Sequence, residues 1–111
     1  MSENSWKGAQ TVATAIHWFT IRQIPVFVPV TSDHHNFDLV IWKDDRLQKV
    51  QCKFTSDERE GFTVKVDTQD VEDKYNDIDV FFIETPTNLY VLKKSDVKFT
   101  KTQIKPCVTS F

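Results

Sequence analysis

The stretch 37-FDLVIWKDDRLQKVQCKF-54 alternates its side chains with a period of two around a polar tip, Lys43-Asp44-Asp45-Arg46, the pattern of a β-hairpin. It constrains the fold because the pairing register dictates which side chains share a face. With Asp44-Asp45 as the turn, or Lys43 to Arg46 as a four-residue loop, Trp42 pairs with Leu47. Asp38 then stands opposite Gln51, Leu39 opposite Val50, and Phe37 opposite Cys52. Paired residues share a face, so Phe37, Leu39, Ile41, Val50, Cys52 and Phe54 form an apolar side. Asp38, Gln51 and Lys53 gather on the other. A three- or five-residue loop would shift the register and separate Asp38 from Gln51.

The flanking segments complete a small fold. Residues 6–20, WKGAQTVATAIHWFT, place Ala9, Val12, Ala13, Ile16 and Phe19 at helical spacing, which predicts a helix with one buried stripe, capped by Ser5 or Asn4. The run 24-IPVFVPV-30 is β-rich, and Pro25 and Pro29 suit strand ends or an edge because they cannot donate to a ladder. A polar loop, 31–36, and a turn, 56–61, bracket the hairpin. Then 62-FTVKVDT-68 alternates like a half-exposed strand, and 69–78 is polar and weakly helical. A compact apolar strand, 79-DVFFIET-85, turns through Pro86-Thr87-Asn88 into 89-LYVLK-93. Residues 94–111 read as either an amphipathic segment or a mobile tail. One helix followed by mostly β gives an α+β or mixed-sheet sandwich. At 111 residues and 40% apolar, residues 1–111 form a single globular domain.

Charge and cysteine content narrow the setting. No apolar run is long enough to cross a bilayer, and MSENSWKGAQ lacks the order of a secretory signal. Cys52 and Cys107 make neither a metal clip nor a disulfide framework, so a reduced, cytoplasmic setting is expected, with no membrane partner. The net charge of −2 is unevenly spread. Residues 1–55 carry six Lys/Arg and five Asp/Glu, residues 56–92 three and ten, and residues 93–111 five and one. The lysine-rich end can serve a polyanion or simply solubility. With only Gly8 and Gly61, no Gly-rich phosphate loop is available.

An acid, an amide and a lysine within one cross-strand spacing suit a hard, hydrated cation such as Mg²⁺, with a backbone carbonyl beside Gln51 completing the protein ligands. The lysine can steady an attacking hydroxide or the charge that builds on a phosphate. The same three residues could instead be a polar sheet face with an exposed Asp–Lys pair, worth at most about 1 kcal/mol.

These segments resemble the PD-(D/E)XK nuclease superfamily. The resemblance runs from 7-KGAQTVATAIHWF-19 through 26-VFVPV-30, 37-FDLVIW-42 and 50-VQCKFT-55 to 77-DIDVFFIETPTNLYVL-92. The closing section is similar to the branch of group I intron-associated homing endonucleases, in which Gln commonly replaces the Glu of the last motif. The resemblance implies an α/β/α-type, restriction-endonuclease-like core with a mixed central sheet and an N-terminal helix. It implies that Asp38, Gln51 and the Cys52 carbonyl hold Mg²⁺, with Mn²⁺ a substitute, and that Lys53 assists the nucleophilic water. In one respect the chain departs from the family: Gln10 stands where the first helix usually carries Glu, which leaves Asp38 as the one sure carboxylate. Gln10 could still hold a metal-bound water, with Glu3 or Asp33 as substitutes.

The expected function is a metal-dependent DNA endonuclease of the homing type, acting on double-stranded DNA as a homodimer or homotetramer, since one chain holds one site. Alternatives are a Holliday-junction resolvase-like nuclease, a catalytically weakened DNA-binding module of the same fold, and a plain protein-interaction domain. DNA contacts are expected from loops 31–36, 43–49, 56–65 and 93–105. Lys7, Lys43, Arg46 and Lys49 are the phosphate candidates, together with His34, His35, Lys93 and Lys94. Asp77 and Asp79 are expected to order the turn before their strand, and Cys52 to fill the core.

Overall fold

The computed structural model describes residues 3–31, 36–56, 64–65, 76–99 and 103–106. Helix α1 (Glu3–Ile21) is followed by β1 (Val26–Phe27), β2 (Leu39–Lys43), β3 (Arg46–Phe54), β4 (Val64–Lys65), β5 (Val80–Glu84) and β6 (Leu89–Lys93). A 3₁₀ turn, Lys94–Asp96, leads to β7 (Val97–Phe99) and β8 (Gln103–Pro106). The main sheet runs β1-β2-β3-β5-β6, and a smaller sheet runs β4-β8-β7. All pairings in the main sheet are antiparallel except β3–β5, which is parallel. A parallel pair needs a long crossover, supplied here by the chain between Phe54 and Val80. The architecture is a mixed sheet with an N-terminal helix, as expected, while 94–111 contributes strands to a second sheet.

The hairpin adopts the expected register: Trp42 pairs with Leu47 and Leu39 with Val50. Asp44 and Asp45 both take positive φ, 56° and 61°, as a two-residue type I′ turn requires, and Asp is among the few residues that tolerate this region. The run 24–30 forms only the two-residue edge strand β1, because prolines flank it.

The helix differs from its expected form at its start and in its buried stripe. Since α1 begins at Glu3, Asn4 and Ser5 lie inside its first turn rather than at the position before it. Thr11, Ala15 and Phe19 are the buried positions, with Val12 and Ile16 half-buried, while Ala9 and Ala13 are exposed. Small alanines carry little apolar area, so the larger Phe19, Ile16 and Val12 decide the helix rotation. At the C-terminus Gln23 is left-handed (φ 60°). Its N–H donates to the Thr20 carbonyl at 2.9 Å, and the Ile24 N–H donates to Phe19 at 3.0 Å. This is a Schellman cap without its usual glycine.

The core lies between α1 and the sheet, where Ala15, Phe19, Leu39, Ile41, Val50 and Phe82 are fully buried. Trp18 packs edge-on against Phe19 and Phe82, with centroids 5.2 and 6.3 Å apart. On the sheet's other face Phe81, Ile83 and Leu92 are also fully buried. Burial on both faces explains why 80-VFFI-83 is continuously apolar rather than alternating. Phe82→Ala is expected to destabilise the fold by about 3–5 kcal/mol through cavity formation at the helix–sheet contact. Urea unfolding measures this, and a loss below about 1 kcal/mol would place Phe82 outside the core.

Candidate active site

The hairpin brings the polar trio together through backbone pairing. The Asp38 N–H donates to the Val50 carbonyl at 2.8 Å, just before the last β2–β3 pair, Leu39 with Val50. The Asp38 carboxylate in turn accepts the Cys52 N–H, again at 2.8 Å. A side-chain acceptor on a strand amide fixes the carboxylate beside Gln51 and Lys53. Burial pushes the Asp38 carboxyl above its ordinary range, opposed by the Cys52 amide and by the positive charge of Lys53. Asp38 and Lys53 are therefore electrostatic neighbours, as their spacing in the hairpin predicts.

Gln51 is buried, and its Nε2 donates to the Cys52 carbonyl at 3.4 Å. In this orientation its Oε1 is the atom available as a ligand. The Cys52 side chain faces the core. Burial, followed by the charges of Asp38 and Glu84, pushes its thiol up, so the sulfur stays protonated at neutral pH. Only its carbonyl oxygen can serve a hard cation. Among the described residues no group of three or more His, Cys, Asp or Glu converges to hold a metal ion. The donor set is thus one carboxylate, one amide oxygen and one carbonyl. All three are hard oxygen donors that fit a hydrated divalent cation, at lower charge than a two-carboxylate site.

Gln10 lies on the exposed side of α1. Its buried neighbour Thr11 donates instead to Glu84, hydroxyl to carboxylate, at 2.7 Å, and Thr14 reaches the other carboxylate oxygen at 3.5 Å. Glu84 is the residue that the hairpin reading does not reach. It ends β5 opposite Phe54, one position beyond Lys53, and its charge acts on the Cys52 thiol together with that of Asp38. It points to the helix side of the sheet, whereas the alternation of β3 sends Lys53 to the other side. The sequence signal was a single acid closing an otherwise wholly apolar strand. Of the other proposed substitutes, Asp33 lies outside the described residues, as do His34 and His35.

The candidate phosphate contacts do not form one surface. Lys7, on α1, lies over the Phe54 ring at 4.9 Å, at the end of β3. Lys43, Arg46, Lys93 and Lys94 instead line a cavity at the hairpin tip, the opposite end of β3. Lys49 pairs with Asp77 at 3.1 Å, so a chain carboxylate already occupies it. Asp79 accepts the Lys49 N–H at 2.8 Å, and its own N–H donates to the Lys49 carbonyl at 3.0 Å. Asp77 and Asp79 thus secure the start of β5 to β3, a structural task in line with their expected ordering role.

A sequence model described as "PD-(D/E)XK endonuclease" matches residues 2–106. Among solved structures, that of the bacterial homing endonuclease I-Ssp6803I is similar, with a TM-score of 0.69 at 20% identity. The match covers 98% of this chain and 81% of that one. The Holliday junction resolvase Hjc of Archaeoglobus fulgidus is similar with a TM-score of 0.62 at 9% identity, over 89% of this chain and 82% of that one. No curated protein matches by sequence. At such identities the structural likenesses establish the fold.

Proposed function

This chain belongs to the PD-(D/E)XK endonuclease family, and on that premise we propose that it is a divalent-metal-dependent DNA endonuclease of the homing type. The observation that carries the reading is the Asp38 carboxylate, fixed on the Cys52 amide and coupled to the charge of Lys53. Burial alone would favour a neutral Asp38, and a cation beside it offsets that cost.

In this reading Asp38, the Gln51 amide oxygen and the Cys52 carbonyl hold Mg²⁺, with Mn²⁺ as a substitute. The cation supplies Lewis acidity and lowers the pKa of a coordinated water. Lys53 orients the attacking water and stabilises the negative charge that grows on the phosphate oxygens. With one carboxylate in the donor set, the site binds metal weakly and works best at high metal concentration. Glu84 anchors α1 to the C-terminal end of β5 through Thr11 and Thr14, holding the helix over the end of β3. Cutting both strands takes two such sites, which favours a symmetric dimer or tetramer.

The likeness to a Holliday junction resolvase supports a second reading, selection of branched over linear DNA. Incubating the protein with supercoiled plasmid, linear duplex and a four-way junction, each with Mg²⁺ or Mn²⁺ and with chelator, separates the two. Metal-dependent cleavage of the plasmid and duplex is expected. Cleavage confined to the junction would favour the resolvase reading, and DNA binding with no metal-dependent cleavage would leave a binding module.

A further inference from the structure

Lys43 and Arg46 flank the hairpin turn, while Lys93 ends β6 and Lys94 opens the 3₁₀ turn after it, yet all four line one cavity of about 250 Å³. Two carboxylates share the lining, Asp44 and Asp79. Asp44 pairs with Lys43 at 3.2 Å and Asp79 with Arg46 at 3.6 Å. Four cations against two acids leave the cavity positive. Exposed ion pairs of this kind are worth little, so a phosphate oxygen can take the place of a carboxylate at small cost. Arginine adds a planar fork that matches phosphate.

The tip is also pre-organised. The buried Gln48 donates its Nε2 to the Lys43 carbonyl at 2.9 Å, closing the turn that Asp44 and Asp45 form. From the other side, the Lys94 N–H donates to the Asp79 carbonyl at 2.9 Å, and its ammonium meets the Asn76 carbonyl. Rigid donors lose less entropy when a ligand binds. Arg46 opens β3 and Lys53 lies near its end, so at about 3.3 Å per residue roughly 23 Å separates them.

We propose that this cavity is a second phosphate site, which grips the backbone of the DNA duplex about seven base pairs from the bond being cut, at roughly 3.4 Å per pair. The choice of duplex DNA as the occupant rests on the nuclease reading. The cavity gives the protein a hold on its substrate that is separate from the Asp38 corner, so binding and cutting can be lost independently.

The test measures wild-type protein and the Arg46→Gln/Lys93→Gln variant by fluorescence anisotropy on a labelled duplex, in chelator, across a salt titration. Both side chains are exposed, and circular dichroism verifies that the variant is folded. Each lost phosphate contact removes about 0.9 from the slope of log affinity against log salt, so the variant's slope should be shallower by roughly 1.8. Arg22→Gln, at the end of α1 and stacked on Trp18, removes a positive charge away from the cavity and should leave the slope unchanged. A variant slope equal to that of the control overturns the proposal. Millimolar inorganic phosphate at constant ionic strength is the second arm. If it raises the melting temperature of wild type but not of the variant while their duplex slopes are equal, the cavity serves free phosphate and the duplex assignment fails; a slope difference makes the duplex the occupant. Because no metal is present, absence of cleavage activity would not alter these slopes, and an unchanged slope would not touch the nuclease reading.

Discussion

Replacing Lys53 with alanine lowers the rate of DNA cleavage about 100- to 1,000-fold, the usual cost of removing one group that stabilises transition-state charge. Duplex affinity in chelator changes little, because the loss falls on the chemical step rather than on binding. A second effect follows from the position of the lysine. Its charge holds the Asp38 carboxyl down against the burial that raises it. Without that charge the Asp38 pKa climbs further, so the acid limb of the rate–pH profile moves to higher pH. Lys53→Arg keeps the charge, and so returns the acid limb toward its wild-type position even if the altered geometry leaves the rate low. A wild-type rate in Lys53→Ala would remove this lysine from the mechanism. A lower rate with an unmoved acid limb would uncouple it from Asp38.

Asp38→Asn is expected to abolish metal-dependent cleavage and, at neutral pH without metal, to raise the melting temperature. The asparagine side chain still offers an oxygen to the Cys52 N–H, which Asp38 now binds at 2.8 Å, but it carries no charge to desolvate. Because burial raises the Asp38 pKa in the fold, the folded chain holds this proton more tightly than the unfolded chain does. Its contribution to stability is therefore complete below the ordinary aspartate pKa. It is lost as pH climbs through the raised value. Wild type and Asp38→Asn should melt alike below that window and diverge above it. Divalent metal should then raise the wild-type melting temperature by mass action and leave the variant unmoved. Thermal melts across pH, with and without Mg²⁺ or Mn²⁺, test this without any reading of activity. An equal metal response in both proteins would move the cation away from Asp38.

Much of the site was legible because a hairpin is a local object. The alternation of 37–54 and a two-residue turn allow one register, which pairs Leu39 with Val50 and so brings Asp38 to the Cys52 amide, between Gln51 and Lys53. The apolar run 80–83 announced a compact strand, which the structure buries on both faces. The helix was legible as a helix, but its rotation was misjudged at Ala9 and Ala13, because alanines weigh little in packing. In the second sheet, β4 falls within the strand expected over 62–68, but its pairing with β8 joins segments far apart in sequence, and the short strands Val97–Phe99 and Gln103–Pro106 carry too little alternation to announce themselves.

The sequence alone determined the hairpin, its phase and the chemical character of its polar face, because a side-chain period of two and a tight turn are properties of neighbouring residues. Only the tertiary structure decided what surrounds that face. The parallel pairing of β3 with β5 carries Glu84 to the end of the sheet, where Thr11 and Thr14 of the helix take up its carboxylate. The β5–β6 pairing carries Lys93 and Lys94 to the hairpin tip beside Lys43 and Arg46, at the far end from Lys53. These juxtapositions depend on long-range strand order, which no local pattern encodes.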